Sequence, residues 1–221
     1  MNKKFEFTGE TKAILGNTLH RIRALISFGE VGAGELGGWI EKEENLDASG
    51  NAWVYGNAQV YGNAQVSGNA QVYGNARVSG NARVYGDARV YGNAWVYGDA
   101  WVFGNARVYG IARLSGNAWV CGNARVYGDA RVDGDARVYK CGAIFWISNV
   151  GSRDDTATFF ACRDKKIKVI VGCFFGDLDE FAAAVQKTHG DNTHAKVYRL
   201  AIEMAKERIK MDDMPEESND G

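Results

Sequence analysis

The chain has 221 residues and a formal net charge of −1, so it carries no overall excess of either sign. No apolar run approaches the roughly 20 residues that cross a bilayer as a helix. Its four cysteines, Cys121, Cys141, Cys162 and Cys173, show no CxxC spacing and follow no secretory signal, so a reduced cytoplasmic chain is expected.

Residues 1–49 are expected to form an N-terminal β cap. Phe5–Phe7 and Leu19–Ile26 read as strands, and a glycine-rich passage, Gly32–Ile40, leads onward. The neighbouring repeat is the reason for a cap. Residues 50–139 are fifteen six-residue units, most of them Gly-Asn/Asp-Ala-x-Val-Tyr. A fixed short period marks a solenoid, whose units bury their apolar side only against their neighbours and whose open end needs a cover. Trp39 and Ile40 are the expected plug.

Within a unit, Ala and Val sit two apart and share one side of a short strand, while the residue between them points away. Gly with Asn or Asp suits a corner, since Gly lacks a Cβ and Asn and Asp tolerate the left-handed region. Three units close a triangular coil of 18 residues, giving about five coils. Departures are few: Ile111 replaces Asn, Leu114 replaces Val, and Ser67, Ser79, Phe103, Ser115, Cys121 and Asp133 replace Tyr. No unit carries an insertion.

The repeat holds eight Arg and five Asp but no Lys or Glu. Taking every third unit together, one face shows Tyr55, Tyr73, Tyr91, Tyr109 and Tyr127 beside Trp53, Gln71, Arg89, Arg107 and Arg125. The second shows Tyr61 and Tyr97 near Trp95, and the third Tyr85 and Phe103 near Trp101 and Trp119. Such ladders can simply cover strands, but the continuous Tyr, Trp and Arg surface has the composition of an interface. The predicted binding residues are Tyr73, Tyr91, Tyr109, Tyr127, Arg89, Arg107 and Arg125.

From Lys140 the periodicity ends. Residues 140–211 read as a ββα-α module: a strand over 143–149, then a hairpin over 156–162 and 166–173. Pairing Arg163 with Lys166 would set Thr158, Phe160 and Cys162 on one face with Ile167, Val169 and Val171. Asp177 and Glu180 form a capping box for a first helix. A second helix runs over 193–210, with His194, Tyr198, Ile202, Ala205 and Ile209 on one stripe. Residues 212–221 are acidic and expected to be disordered.

The repeat resembles the hexapeptide-repeat superfamily. That resemblance implies a left-handed triangular parallel β-helix, often trimeric and often an acyltransferase. Leu19–Leu25, Gly37–Leu46, Ile144–Ser152 and Thr188–His194 resemble segments of uncharacterised phage and prophage proteins that carry similar repeats. This second likeness covers nearly the whole chain and implies no activity.

An acyltransferase needs a general base, usually His on a coil or its loop. The repeat has none; the histidines are His20, His189 and His194. The last two flank a Gly-Asp-Asn-Thr turn, where a structural role is the simpler reading. No catalytic residue, metal or cofactor is assigned. Nucleic acid fits the Arg and Tyr content but not a repeat charge of +3 without Lys. The expected function is a non-enzymatic, self-associating binding or scaffold protein. It would engage a host protein or sequester a nucleotide-like anion in a host–phage conflict (anti-defence). The alternative is an acyltransferase-like enzyme.

Overall fold

The computed structural model describes residues 3–211. Fifteen two-residue rungs, Trp53–Val54 to Arg137–Val138, stack in parallel on three faces. Each rung pairs in register with the rung 18 residues away, as Arg89 does with Gln71 and Arg107. Backbone ladders run on both sides of each rung, for instance from Tyr73 N–H to Val90 O at 3.0 Å. The Ala and Val of the repeat line the interior and are sealed from solvent. The period therefore does place every sixth Val inward, as the alternation requires.

The corners work differently from the expectation. Only the glycines take positive φ, between +57° and +73° from Gly50 to Gly134, and no repeat Asn or Asp does. The turn closes where Ala N–H bonds back three residues, as Ala58 does to Tyr55 O at 3.1 Å, with Gly first of the two central residues. Asn and Asp instead build side-chain ladders along the coil axis. Asn51 Nδ2 donates to Asn69 Oδ1, and Asn69 Nδ2 to Asp87 Oδ1, both at 3.0 Å. Asn63 to Asn81 to Asp99 repeats this at another corner. A carboxylate has no N–H to pass on, so each of these runs ends at its Asp. Ile111 is tolerated because its position needs no special φ; it stands exposed.

The coil starts earlier than position 50. Three N-terminal strands, β1 (Phe5–Ile14), β2 (Asn17–Ala24) and β3 (Leu36–Ile40), lead into it. β1 and β2 form an antiparallel hairpin across Leu15 and Gly16, both at positive φ. β3 pairs antiparallel with β2 on one side and parallel with the Gln59 rung on the other, so Trp39 and Ile40 already belong to the solenoid. Leu46 adds a parallel bridge to Val66, which makes about six turns in all. Ile40 is interior, as expected of a plug. Trp39 lies outside, with Lys12 and Arg21 over its ring.

The aromatic plug is Trp53, which sequence placed in an outer column. It is completely buried between Phe5, at 6.3 Å, and Phe28, at 5.3 Å. The tight fit depends on Gly37, where a Cβ would come within 2.7 Å of the indole and 2.5 Å of Ile22. Buried Lys4 completes the cover, its Nζ donating to Asp47 O at 3.1 Å and Ala52 O at 2.8 Å. Those carbonyls lie at the open end of the coil and find no further rung to bond.

The other end carries a four-stranded antiparallel sheet, one strand more than the hairpin and single strand expected. Its strands are β4 (Ile144–Val150), β5 (Asp155–Ala161), β6 (Ile167–Val171) and β7 (Phe174–Asp177). The β5–β6 register is one residue from the expected one. Phe159 faces Val169 and Ala161 faces Ile167, so they replace Thr158, Phe160 and Cys162 on that face. The cause is a three-residue loop. Cys162 and Lys166 close it with a 2.9 Å bond, and Lys165 at φ +58° supplies the left-handed residue it needs.

β5 lies across the last coil. Thr158 Oγ1 accepts from Arg131 N–H at 3.1 Å, and Arg163 N–H donates to Asp135 O at 3.0 Å. Both bonds stand in for the missing next rung. Helix α1 (Leu178–His189) starts at the expected capping box, Asp177 with Glu180. Helix α2 (Thr193–Arg208) is capped by Asn192 and buries Tyr198, Ile202 and Ala205 of its predicted stripe. The acidic stretch 212–221 lies outside the described residues.

Candidate ligand-binding face

Because the rungs pair in register, like side chains stack on like. On the first face, the rings of Tyr73, Tyr91, Tyr109 and Tyr127 lie parallel, with centroids 4.7, 4.8 and 4.9 Å apart and planes within 8°. Tyr55 is packed instead against the N-terminal core. The predicted tyrosines are thus brought together, but each interior ring has both faces covered by its neighbours. Tyr91 and Tyr109 have no open face on which a base could stack; they offer edges and hydroxyls.

Burial in the stack, with neighbouring phenols, raises the pKa of Tyr73 and Tyr109. Arg89 and Arg107 oppose this at Tyr73, and Arg125 and Arg107 at Tyr109. The hydroxyls therefore stay neutral and able to donate.

The arginines divide by face. On the second, Arg77 and Arg113 lie over Trp95 at 4.9 and 5.4 Å. On the third, Trp101 and Trp119 stack at 5.1 Å, with Arg83 over the first and Arg137 over the second. These four guanidiniums are each engaged by an indole, whereas Arg131, also on the second face, is exposed and lies over none. On the first face, Arg89, Arg107 and Arg125 are exposed and pair rung to rung with one another. None has a hydrogen bond or ion pair among the described residues. Like charges opposite one another are unfavourable, so this column concentrates positive charge, with the Asp87 carboxylate two residues before Arg89 at one end.

The column ends in a cleft that sequence reasoning did not find. Trp146, on β4, stands edge-on to Tyr127 with centroids 4.6 Å apart. Together with Arg125, Phe145 and Arg208 they line a cavity of about 470 Å³. Arg208, at the end of α2, is held by a 3.4 Å bond to Cys141 O. Two guanidiniums and an aromatic wall thus converge where solenoid and module meet. Arg208 and Trp146 lie outside the repeat, and no periodicity could have placed them there.

The histidines lie elsewhere. His20 stacks on Phe7 at 4.7 Å in the N-terminal hairpin, and His189 packs against His194 and Tyr198 in the helical pair. Cys162 is core, and burial pushes its thiol up to about 12. Among the described residues, no cluster of three or more His, Cys, Asp or Glu could hold a metal ion. No helix among them is long and apolar enough to cross a membrane.

Residues 58–71, 70–86, 82–98, 118–134 and 124–140 match the YdcK beta solenoid repeat. All five stretches fall within the repeat of residues 50–139 or its first following residue, so over them the chain is similar to proteins carrying that repeat. No curated protein matches the chain.

Proposed function

We propose that the protein is a non-enzymatic binding scaffold that holds an anionic ligand on its first solenoid face and in the adjoining cleft. The observation that carries this reading is the column Arg89, Arg107 and Arg125, exposed and unpaired beside a stack of neutral tyrosines. An anion laid there gains charge-assisted hydrogen bonds and relieves the repulsion within the column. A nucleotide-like ligand would need an open ring face, and on this face the cleft beside Tyr127 and Trp146 is the place that offers aromatic contact. The resemblance of both chain ends to phage proteins favours a setting in host–phage conflict, in the cytoplasm of a bacterial host.

Self-association through the solenoid is part of the same proposal. Trp95 and Tyr97 on the second face are 38% and 39% exposed, and a contact between copies, a trimer by family likeness, would cover them.

The test is untargeted mass spectrometry of small molecules and polymers that copurify with the wild type and with the Arg89, Arg107 and Arg125 to Ala triple variant. The expected result is an anionic species held by the first and absent from the second. Identical contents in both would sink the reading.

A further inference from the structure

Departures from the repeat gather on the second face, where the Tyr position reads Tyr61, Ser79, Tyr97, Ser115 and Asp133 along the coil. The rungs that carry these residues pair in register. We infer that the notch at Ser115 is a binding site for a guanine nucleotide, separate from the first face.

A serine in such a column takes one ring out of a stack. Where aromatic residues follow one another at this position, as Tyr85 and Phe103 do, the rings lie parallel with centroids 5.0 Å apart. Tyr97 has serine on both neighbouring rungs, and no ring packs on it among the described residues. A flat base laid beside Ser115 takes the place of the missing ring, and stacking on tyrosine favours any base. The base uses the ring face toward Ser115, not the exposed edge that a second copy would cover. The C-terminal sheet partly roofs the notch. Phe175 of β7 stands so close to the corner that a Cβ on Gly134 would come within 2.9 Å of its ring. With Phe174, Tyr97 and Ser115 it lines a cavity of about 260 Å³.

The charged groups narrow the ligand. Arg113, Arg131 and Asp133 line the same cavity, two cations against one carboxylate. Arg131 and Asp133 stand two residues apart on one rung, yet they form no ion pair. The Arg131 guanidinium makes no hydrogen bond among the described residues. Asp133 Oδ1 accepts from Gly134 N–H at 2.8 Å, and its other oxygen accepts nothing among them. Alternate side chains of a strand stand about 6.8 Å apart, a separation that a base edge and its ribose phosphate can span. The ligand therefore needs a ring for Tyr97, N–H donors for Asp133 and an anion for Arg131. A simple aromatic acid lacks the donors, and a free amino acid lacks the net negative charge that two cations favour. Guanine turns two adjacent donors, a ring N–H and an exocyclic amine, toward one carboxylate. Adenine places a ring acceptor beside its amine, and uracil has a carbonyl on each side of its N–H, so both would set lone pairs against Asp133.

The experiment is calorimetry with guanosine, adenosine and uridine monophosphates, guanosine and inorganic phosphate. Each is titrated into the full chain and into the Arg89, Arg107 and Arg125 to Ala triple variant, which removes first-face binding. Guanosine monophosphate should bind both proteins. It should bind at least about tenfold more tightly than guanosine, the scale of one charged hydrogen bond, and than the other two nucleotides. Ser115→Tyr restores the usual residue of the repeat, so the coil keeps its fold while the new ring fills the notch and abolishes binding. Asp133→Asn can still accept from Gly134 N–H and should remove the preference for guanine. Arg131→Gln should bring guanosine monophosphate down to the affinity of guanosine. Wild-type affinity in Ser115→Tyr would overturn the site. Equal affinity for the three nucleotides, with Asp133→Asn neutral, would overturn the guanine assignment. Inorganic phosphate matching the nucleotide would overturn the base contact. Binding lost in the triple variant but kept in Ser115→Tyr would sink this inference and leave the first-face reading standing.

Discussion

Trp146 meets Tyr127 edge to face, with ring centroids 4.6 Å apart and planes at 90°. A ladder of identical rungs has no internal reason to stop, and its last ring would present an open face to water. Trp146 packs against that last ring, and its Nε1 lies 3.5 Å from the position a Cβ on Gly128 would take. The same contact terminates the stack and builds one wall of the cleft.

This pair should be energetically coupled. In a double-mutant cycle of Tyr127→Leu and Trp146→Leu, read by denaturant unfolding, the coupling should be about 0.5–1.5 kcal/mol in favour of the native pair. Strict additivity would show that the geometry contributes nothing beyond burial.

Val90 is fully buried between Val72 and Val108 in a core only a few side chains wide. Val90→Asp puts an unpaired carboxylate there and should cost several kcal/mol, enough to abolish folding. Loss of soluble protein or of the β circular-dichroism signal is the expected readout.

Two glycines of like φ should differ in tolerance. A Cβ on Gly98, at φ +70°, would meet the backbone N of Gly116 at 3.0 Å, whereas on Gly56, at φ +57°, it meets nothing within 4 Å. Gly56→Ala should cost about 1–2 kcal/mol for conformation alone. Gly98→Ala should cost more, because the backbone of the next coil must move. The difference in melting temperature tests whether corner stacking requires glycine.

Lys4 should give stability an unusual pH dependence. Burial lowers its pKa from 10.5 to about 8, against the pull of Asp47. Below about pH 8 both states hold the proton, and the folded state bears the full cost of the buried charge. Between about 8 and 10.5 the unfolded state still binds a proton that the folded state has released, so stability rises with pH. Above about pH 9 Cys162 opposes this, since its thiol, pushed up to about 12, keeps in the folded state a proton the unfolded chain loses, and above pH 10 the tyrosines with their raised values oppose it further. Denaturant midpoints measured from pH 7.5 to 9 should climb in the wild type, with Lys12, also lowered to about 8 by burial, adding to the rise, and should climb less in Lys4→Met.

Self-association should depend on the second face. Light scattering at micromolar concentration should give a mass above that of one chain, and Trp95→Ser with Tyr97→Ser should lower it with the fold intact. A wild type that scatters as a monomer would refute the assembly.

The six-residue period by itself determined the inward Ala and Val, the three faces and the columns of like residues, because one unit's geometry repeats unchanged along the axis. The capping box at Asp177 and Glu180 was equally legible, since a helix start is a local matter. Tertiary structure decided the rest. Trp53 occupies the same repeat position as Arg89, yet it is buried because Phe5 of β1 and Phe28, after β2, fold over that end of the coil. The β5–β6 register shifted by one residue because the loop uses a left-handed Lys165, a non-Gly residue that gives no sequence signal for that conformation. The cleft needed Arg125 and Arg208 from segments far apart in the chain to meet where the solenoid stops. A period describes what every unit shares; it carries no information about the two places where a unit has no next neighbour, and there the flanking chain chooses the contacts.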